Sequence, residues 1–179
     1  MKTLHHFLVS CCEKIDYANP RILMKKASIV FDFSGTLAYE RDDFSLALFP
    51  SILWLLENLK EEGHELYLWT ALSRKGALQS LEKLGIQHFF TDLRTPSDCA
   101  GKPDPEGLKQ MLVNVDKKLV VVIGDSYGDM FGAKLFGAFA IGAVWKNGYG
   151  SEQLQIAGAS VIAQDAKDCY QIINDYLKN

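Results

Sequence analysis

The feature that most constrains the fold is an apolar run at residues 28–33 that carries a single carboxylate, Asp32, near its end. A continuous apolar run is typical of a strand buried on both faces, as in a parallel sheet, because a half-exposed strand alternates apolar and polar residues. Further apolar runs at 65–69, 119–123 and 139–143 are separated by segments with helical signals. The sequence therefore predicts an α/β protein with a parallel sheet.

Strands and helices alternate along the whole core of the chain. This alternation predicts right-handed βαβ crossovers, and hence a three-layer, Rossmann-like fold whose sheet is covered by helices on both faces. Residues 1–27 are predicted to form an N-terminal helical extension, and residues 28–179 the core domain. Trp54 is expected to lie in the core. The predicted strands are 28–33, 65–69, 88–91, 119–123, 139–143 and 160–163, and the predicted helices are 50–62, 73–84, 106–115, 128–136 and 168–177.

Four polar side chains fall near the carboxyl ends of the predicted strands. Asp32, Thr70 and Asp125 each lie at or just past the end of a strand, and Lys102 lies in the loop 95–105, which is rich in proline, aspartate and glycine. Ligands of open parallel sheets bind at this edge. We therefore expect these four residues to form one site.

Composition and charge exclude several other classes of protein. The net charge is −3, the pI is about 5.8 and no block of like charge occurs, so no nucleic-acid surface is predicted. The longest apolar stretch, 46–56, contains Pro50 and is too short to cross a bilayer, so no membrane role is predicted. The four cysteines match no zinc or disulfide framework and are typical of free thiols in a reducing compartment. We expect a cytoplasmic protein.

The residue types at this edge suit phosphate chemistry. Asp32 and Asp125 can hold Mg²⁺ through oxygen atoms, and the metal shields a carboxylate nucleophile from the negative charge of a phosphate. The hydroxyl of Thr70 and the ammonium of Lys102 can bind the remaining phosphate oxygens. A carboxylate can itself be phosphorylated, which divides hydrolysis into two steps. The sequence predicts Mg²⁺ as cofactor and a phosphorylated substrate.

Four segments resemble, in order, the motifs of the haloacid dehalogenase superfamily. Residues 32–36, Asp-Phe-Ser-Gly-Thr, resemble the first motif, Asp-x-Asp-Gly-Thr, and residues 66–70 resemble the second, an apolar strand that ends in Thr or Ser. Residues 101–105 are similar to the third motif, which carries a lysine, and residues 123–129 to the fourth, Gly-Asp-Ser-x-x-Asp. The core motifs resemble those of the phosphoglycolate phosphatase-like group. The resemblance implies a magnesium-dependent phosphatase with this superfamily's core fold.

The resemblance implies catalytic and metal-binding roles for five residues. Asp32 would attack phosphorus and also bind Mg²⁺. The backbone carbonyl of Ser34 and the carboxylate of Asp125 would be the other metal ligands from the protein. Lys102 would neutralise Asp32 and the transferring group, and Asp129 would orient metal-bound water or Lys102.

The resemblance also implies how the phosphate is held. The hydroxyl of Thr70 would donate a hydrogen bond to a phosphate oxygen, and Lys102 would contact the same group. Backbone amides near Phe33 and Ala71 would complete the cradle. The implied phosphate-binding residues are therefore Thr70, Ala71 and Lys102.

Ser34 departs from the superfamily pattern, because most of its phosphatases carry a second aspartate there. That aspartate protonates the leaving oxygen and then activates water, and a serine does neither well at neutral pH. Loss of a general acid–base group costs roughly 10²–10⁴ in rate. The backbone carbonyl that binds metal survives the substitution. We expect a slow or selective phosphatase that works best on good leaving groups.

The chain also lacks room for a cap domain. Family members often insert a cap between the first and second motifs or between the second and third, and the intervals 36–66 and 71–101 hold only about one loop or strand and one helix each. Residues 38–49 are expected to form a small flap. Without a lid to exclude water, an open site favours a large substrate or closure by a neighbouring subunit.

Two other functions remain open at the level of sequence. Ser34 favours a non-catalytic or regulatory protein that retains a phosphate and Mg²⁺ site. A dehalogenase would use Asp32 on carbon without metal, but the carboxylate of Asp125 and the missing cap argue against it. Fold alone does not choose among these functions.

Overall fold

The computed structural model describes residues 25–146 and 150–178. The helix predicted for the N-terminal extension lies outside the described residues except for residues 25–27, which lead directly into the first strand. The division into an extension, 1–27, and a core domain, 28–179, stays a prediction.

Parallel strands form the central sheet of the described residues. The strands are β1 (Ser28–Phe31), β2 (Ala38–Glu40), β3 (Leu46–Leu48), β4 (Glu65–Trp69), β5 (Phe90–Arg94), β6 (Val120–Gly124), β7 (Phe139–Ala143) and β8 (Val161–Ala163). Six of them form one sheet in the order β5-β4-β1-β6-β7-β8, and every neighbouring pair in it is parallel. Strands β2 and β3 form a separate antiparallel hairpin. The predicted parallel sheet is confirmed.

Helices cover both faces of this sheet. They are α1 (Ile52–Glu61), α2 (Arg74–Lys83), α3 (Glu106–Met111), α4 (Tyr127–Phe136), α5 (Ser151–Ala157) and α6 (Ala166–Lys178). Ile29 and Phe31 of β1 pack in one core with α1, α2 and α6, and Val30 packs in a second core with α3, α4 and α5. Successive side chains of a strand point to opposite faces, so the unbroken apolar run of β1 supplies both cores. The three-layer fold is confirmed.

The topology places a ligand-binding edge beside β1. From β1 the chain moves to β4 on one side, and from β6 it moves to β7 on the other side. Connections that leave in opposite directions open a crevice at the carboxyl ends of the two strands. Asp32 and Asp125 follow these two strands directly.

Several helix and strand boundaries match the predictions closely. Strands 65–69 and 139–143 have the predicted bounds. Helix α2 begins after Ser73, whose side chain accepts a hydrogen bond from the backbone N–H of Gly76, as expected of an N-cap. Helix α1 is shorter than predicted and begins at Ile52, because Ser51 before it is in a left-handed conformation.

Two other predictions are corrected by the structure. Strand β5 begins at Phe90 rather than residue 88, because a one-turn 3₁₀ helix at Gln87–Phe89 precedes it. As an edge strand it carries a charged pair, Asp92 and Arg94, which the apolar pattern did not count as strand. Helix α3 ends at Met111 rather than at residue 115, and Asn114 beyond it is left-handed. Helix α5 was not predicted.

Trp54 is not a core residue. Its side chain is 37% exposed and packs edge-on against Tyr170 of α6. The buried face of α1 is formed instead by Ile52, Leu55, Leu56 and Leu59, which repeat at helical spacing.

No cap domain occurs within the described residues. The interval between β1 and β4 holds only the β2–β3 hairpin and α1, and the interval from β4 to the Lys102 loop holds only α2, the 3₁₀ turn and β5. The hairpin corresponds to the predicted flap at 38–49. Across the described ranges, none of the helices has the length and apolar character needed to cross a bilayer.

A buried histidine ties α1 to the start of β1. The backbone N–H of Ala27 donates to Nδ1 of His64 at 3.1 Å. Nε2 of the same ring lies 3.5 Å from Oε2 of Glu62. Burial lowers the pKa of His64 below its ordinary value of 6.5, although Glu62 acts in the opposite direction. Nδ1 must stay unprotonated to accept the Ala27 bond, so acid breaks a contact at the entry to the central strand.

We expect His64 to make the free energy of unfolding fall as the pH is lowered below about 6.5. Between the lowered pKa of the folded state and the ordinary pKa of the unfolded state, the unfolded chain binds more protons, so stability rises with pH in this window. Urea unfolding at a series of pH values would measure the slope. His64→Asn offers an amide oxygen that takes no proton in this range, and should reduce the slope. His88→Asn, at an exposed histidine, is the matched control, and an equal loss of slope there would contradict the assignment.

Candidate active site

The turn after β1 aims Asp32 and Ser34 at the carboxyl edge of the sheet. The backbone N–H of Asp32 donates to the carbonyl of Ile123 at 2.9 Å, which continues the β1–β6 ladder by one residue. The N–H groups of Leu37 and Ala38 then both donate to the carbonyl of Phe33, at 2.9 and 3.0 Å. This closed turn places Asp32 and Ser34 on the wall of one cavity.

Gly35 allows the turn to approach Asp125. Its φ of +90° is one that residues with a side chain rarely adopt. A Cβ at this position would overlap the Asp125 carboxylate and would lie 2.8 Å from Cδ of Lys146. The turn after β1 and the residues after β6 and β7 therefore meet only because position 35 has no side chain.

The start of α4 holds Asp129 in a fixed orientation. Ser126 and Asp129 form a capping box, in which the Ser126 side chain accepts from the Asp129 N–H and Asp129 Oδ2 accepts from the Ser126 N–H at 3.1 Å. The Ser126 hydroxyl also donates to Oδ2 at 2.6 Å. A Cβ at Gly124 would overlap the Asp129 side chain, so Gly124 gives this buried carboxylate its space. Oδ1 of Asp129 is left to face Lys102.

Lys102 is buried between two of the predicted site residues. Its ammonium donates to Oδ1 of Asp32 at 2.6 Å and to Oδ1 of Asp129. The side chain is 7% exposed, and Nζ lies 5.0 Å from the centre of the Trp69 ring, a cation–π contact. The loop 95–105 does reach the sheet edge, as predicted.

Negative charge exceeds positive charge around this lysine. Burial raises the pKa of the Asp32 carboxyl to about 7, with a further upward contribution from Asp129 and an opposing one from Lys102. Burial and Asp129 also raise the pKa of Asp125. Burial lowers the pKa of Lys102, but the two neighbouring carboxylates outweigh it and the pKa is raised. Asp32 and Asp129 share the one buried ammonium of Lys102, and Asp125 adds a third carboxylate whose ion-pair partner, Lys146, is exposed and 3.7 Å away, so the site can accept additional positive charge.

The carboxylates are placed to hold a metal ion. One oxygen from each of Asp32, Asp125 and Asp129 lies within 4.8 Å of the others. Carboxylate oxygens are the ligands that Mg²⁺ and other hard cations prefer. Since Asp129 is already engaged by Ser126 and Lys102, Asp32 and Asp125 are the better placed ligands. The residues therefore fit a divalent metal ion.

Thr70 and Ala71 line the same cavity as Asp32 and Asp125. Thr70 is buried, its N–H donates to the carbonyl of Arg94 at 3.1 Å, and its Oγ1 accepts from the N–H of Leu72 at 3.2 Å. Because Oγ1 is an acceptor there, the hydroxyl proton can be donated to a ligand. Ala71 and Leu72 line the same wall.

The structure brings the predicted site residues together. They surround an open cavity of about 550 Å³, except for Asp129, which lies behind Lys102. The lining residues are Asp32, Ser34, Thr70, Ala71, Leu72, Lys102, Asp125, Ser126, Gly128 and Lys146. Their proximity agrees with the predicted site, whereas their individual catalytic roles stay predictions.

Sequence reasoning missed three residues that shape the cavity. Trp69 forms the apolar surface against Lys102. Trp145 donates from Nε1 to the carbonyl of Thr36 at 3.0 Å and so ties the segment after β7 to the turn after β1. Lys146 lines the cavity, with Nζ 3.7 Å from Oδ2 of Asp125. A signal for Lys146 was present, because it lies three residues past a predicted strand end at the same sheet edge.

Comparison with known proteins indicates a single family. The model of the haloacid dehalogenase-like hydrolase family matches residues 38–143. The chain is 28% identical to pyrophosphatase PpaX of Bacillus velezensis over 60% of its own length and 51% of that protein. It is 27% identical to a phosphoglycolate phosphatase of Vibrio cholerae over 75% of its own length and 61% of that protein. The chain thus spans about half to three fifths of the length of these curated relatives.

A solved structure supports the same fold. A haloacid dehalogenase-like family hydrolase from Streptococcus pneumoniae superposes with a TM-score of 0.70 at 20% identity, covering 82% of this chain and 98% of that one. At this identity the similarity concerns the fold alone.

Gly35→Ala should destabilise the protein and displace Asp125. A left-handed residue with a Cβ costs about 1–2 kcal/mol, and the overlap with Asp125 adds a packing cost of roughly 1–3 kcal/mol. Gly85→Ala is the matched control, because Gly85 has a φ of +70° but no atom within 4 Å of its Cβ position. Urea unfolding would compare the two, and divalent-metal affinity should fall only for Gly35→Ala. Equal costs for both variants would show that the close approach to Asp125 is unimportant.

Proposed function

The chain belongs to the haloacid dehalogenase-like hydrolases, and on this premise we propose that it is a Mg²⁺-dependent phosphohydrolase that forms an aspartyl phosphate on Asp32. The observation that carries the proposal is the buried ion pair between Asp32 and Lys102, in the wall of a cavity that Asp125 and Thr70 also line. A carboxylate held beside a buried ammonium and a second carboxylate is suited to attack a phosphate anion. The names of the relatives, a pyrophosphatase and a phosphoglycolate phosphatase, are consistent with this chemistry.

In the proposed reaction, the site residues would have separate roles. Asp32, Asp125 and the carbonyl of Ser34 would hold Mg²⁺, which supplies charge shielding between the nucleophile and the phosphate. An oxygen of Asp32 would form a bond to phosphorus as the bond to the leaving oxygen breaks. Lys102 and the Thr70 hydroxyl would bind the phosphate oxygens and their developing charge. Water would then hydrolyse the aspartyl phosphate.

Asp129 would act through Lys102 rather than on the substrate. Its Oδ2 is occupied by Ser126 and its Oδ1 by Lys102. Because the capping box fixes the orientation of the Asp129 carboxylate, this carboxylate can hold the ammonium of Lys102 towards Asp32. Asp129 is therefore a positioning residue in this proposal.

The openness of the cavity indicates what size of substrate the proposed site could accept. The β2–β3 hairpin is the only insertion between β1 and α1 in the described ranges, and it does not form a lid domain. We therefore propose a phosphorylated substrate that is large, or a site that a neighbouring subunit completes. No part of the proposal requires a nucleic acid or a membrane, and it places the reaction in the cytoplasm.

Ser34 favours a second candidate function. A residue at this place that cannot donate a proton is compatible with a regulatory protein that binds phosphate and Mg²⁺ without turnover. The two candidates differ in whether Asp32 supports turnover of an activated ester, and the next experiment separates them.

Nitrophenyl phosphate hydrolysis tests the proposed nucleophile, because its good leaving group makes least demand on the missing acid. We expect Mg²⁺-dependent release of nitrophenol, and a loss of at least about a thousandfold in kcat/KM for Asp32→Asn. Asp116→Asn, at the opposite edge of the sheet, should keep full activity. The absence of Asp32-dependent turnover would favour the regulatory function, and halide release from a halogenated organic acid without metal would indicate a dehalogenase.

Ser34→Asp should restore the missing acid–base group. We expect kcat for an alkyl phosphate, whose leaving oxygen needs a proton, to rise by roughly 10²–10⁴. Nitrophenyl phosphate should gain much less. Ser34→Asn is the matched control, with a similar shape and no acid function. No gain, or the same gain in both variants, would contradict the role assigned to position 34.

A further inference from the structure

We propose that Lys146 determines specificity by binding an anionic leaving group, so that the preferred substrates are phosphoanhydrides, in which the leaving group is itself a phosphate. This inference rests on the proposed function and names the substrate class of the same site. Two independent observations point to it: the placement of a second lysine in the cavity, and the absence of an acid at Ser34.

Tertiary contacts hold Lys146 beside the turn after β1, which carries Asp32 and Ser34. The indole of Trp145 donates to the carbonyl of Thr36 at 3.0 Å, which anchors the neighbouring residue to the turn after β1. The aliphatic stem of Lys146 lies against Gly35, where a Cβ would come within 2.8 Å of its Cδ. Lys146 therefore approaches the cavity from the side of Ser34 and Asp125, where the superfamily's acid–base residue would stand.

Lys146 is the less engaged of the two lysines that line the cavity. Lys102 is 7% exposed and is bound by two carboxylates. The Lys146 side chain is 42% exposed, and Asp125 lies 3.7 Å from its ammonium, beyond hydrogen-bond distance. Such a weak, exposed ion pair is worth little, so the flexible stem of Lys146 can turn its ammonium to a ligand. If Asp125 binds a metal ion, its hold on Lys146 weakens further.

Ser34 imposes a matching requirement on the leaving group. When Asp32 bonds to phosphorus, the electron pair of the broken bond stays on the leaving oxygen. Without an acid at position 34, this oxygen must depart as a stable anion. A phosphate leaves in this way, and Lys146 can bind its charge. Water then attacks the aspartyl phosphate, releases the second phosphate and a proton, and regenerates Asp32.

An alkyl phosphate provides neither a stable leaving anion nor an anionic group for Lys146 to bind. Its leaving oxygen would depart as a strongly basic alkoxide, and it carries no charge for Lys146 to bind unless a second anionic group is present. The two features of the site therefore select the same class of substrate.

The test compares inorganic pyrophosphate with nitrophenyl phosphate, for the wild type and Lys146→Met, with Mg²⁺ present. We expect the wild type to prefer pyrophosphate, and Lys146→Met to lower kcat/KM for pyrophosphate by roughly tenfold to a hundredfold more than for nitrophenyl phosphate, since a charge-assisted bond is lost only with the former. Lys146→Arg should keep most of the preference. Lys118→Met, at an exposed lysine on the opposite edge, is the matched control and should leave the ratio unchanged.

The possible failures are distinguishable. Equal losses for both substrates would show that Lys146 acts through Asp125, and would overturn the inference while the proposed function stands. A wild type that hydrolyses nitrophenyl phosphate through Asp32 but does not prefer pyrophosphate would also overturn it. If neither pyrophosphate nor nitrophenyl phosphate is hydrolysed, the proposed function itself fails.

A binding measurement gives a readout without turnover. Calorimetry of methylenediphosphonate, which has no hydrolysable bridge, should show weaker binding to Lys146→Met than to the wild type. Methylphosphonate, with one anionic group, should show a smaller difference. Equal weakening for both ligands would contradict a role for Lys146 at the second anionic group.

Discussion

The shared ammonium of Lys102 is the interaction on which the rest of the site depends. It joins Asp32 after β1 to Asp129 at the start of α4, although the three residues come from different segments of the chain. A buried charge that loses one partner costs roughly 3–5 kcal/mol. The loop that carries Lys102 is therefore held to the sheet edge by the same contacts that hold Asp32, the proposed nucleophile. The stability of this loop and the proposed catalysis therefore both depend on the contacts among Asp32, Lys102 and Asp129.

Around this cluster the cavity stays open, and this openness shapes the proposed substrate. A hairpin and α1 fill the interval between β1 and β4, so no lid domain covers Asp32 within the described residues. In the proposed function, specificity would then come from the cavity wall itself. Lys146, which follows β7, lines this wall, and its neighbour Trp145 is anchored to the turn after β1 by the hydrogen bond to Thr36.

Much of the fold could be predicted because its strands are buried on both faces. The runs 65–69 and 139–143 have the predicted bounds, since burial demands apolar residues throughout. Edge strand β5 was misplaced because one side of it is not covered by another strand, which allows Asp92 and Arg94 within it. Trp54 was wrongly expected in the core, because an aromatic residue in an amphipathic helix can also pack on the surface, as it does against Tyr170.

The amino-acid pattern was sufficient to predict the family and the parallel sheet and to propose residues for the site, because each depends on local patterns: an apolar run, a strand end and a short motif. The contacts of the folded chain were needed to show that Lys102 is shared by two carboxylates, that Gly35 must lack a side chain and that Lys146 joins the cavity. These facts depend on the distance between segments far apart in the chain. Local pattern places residues at the same edge of a sheet, but packing alone sets which of them touch.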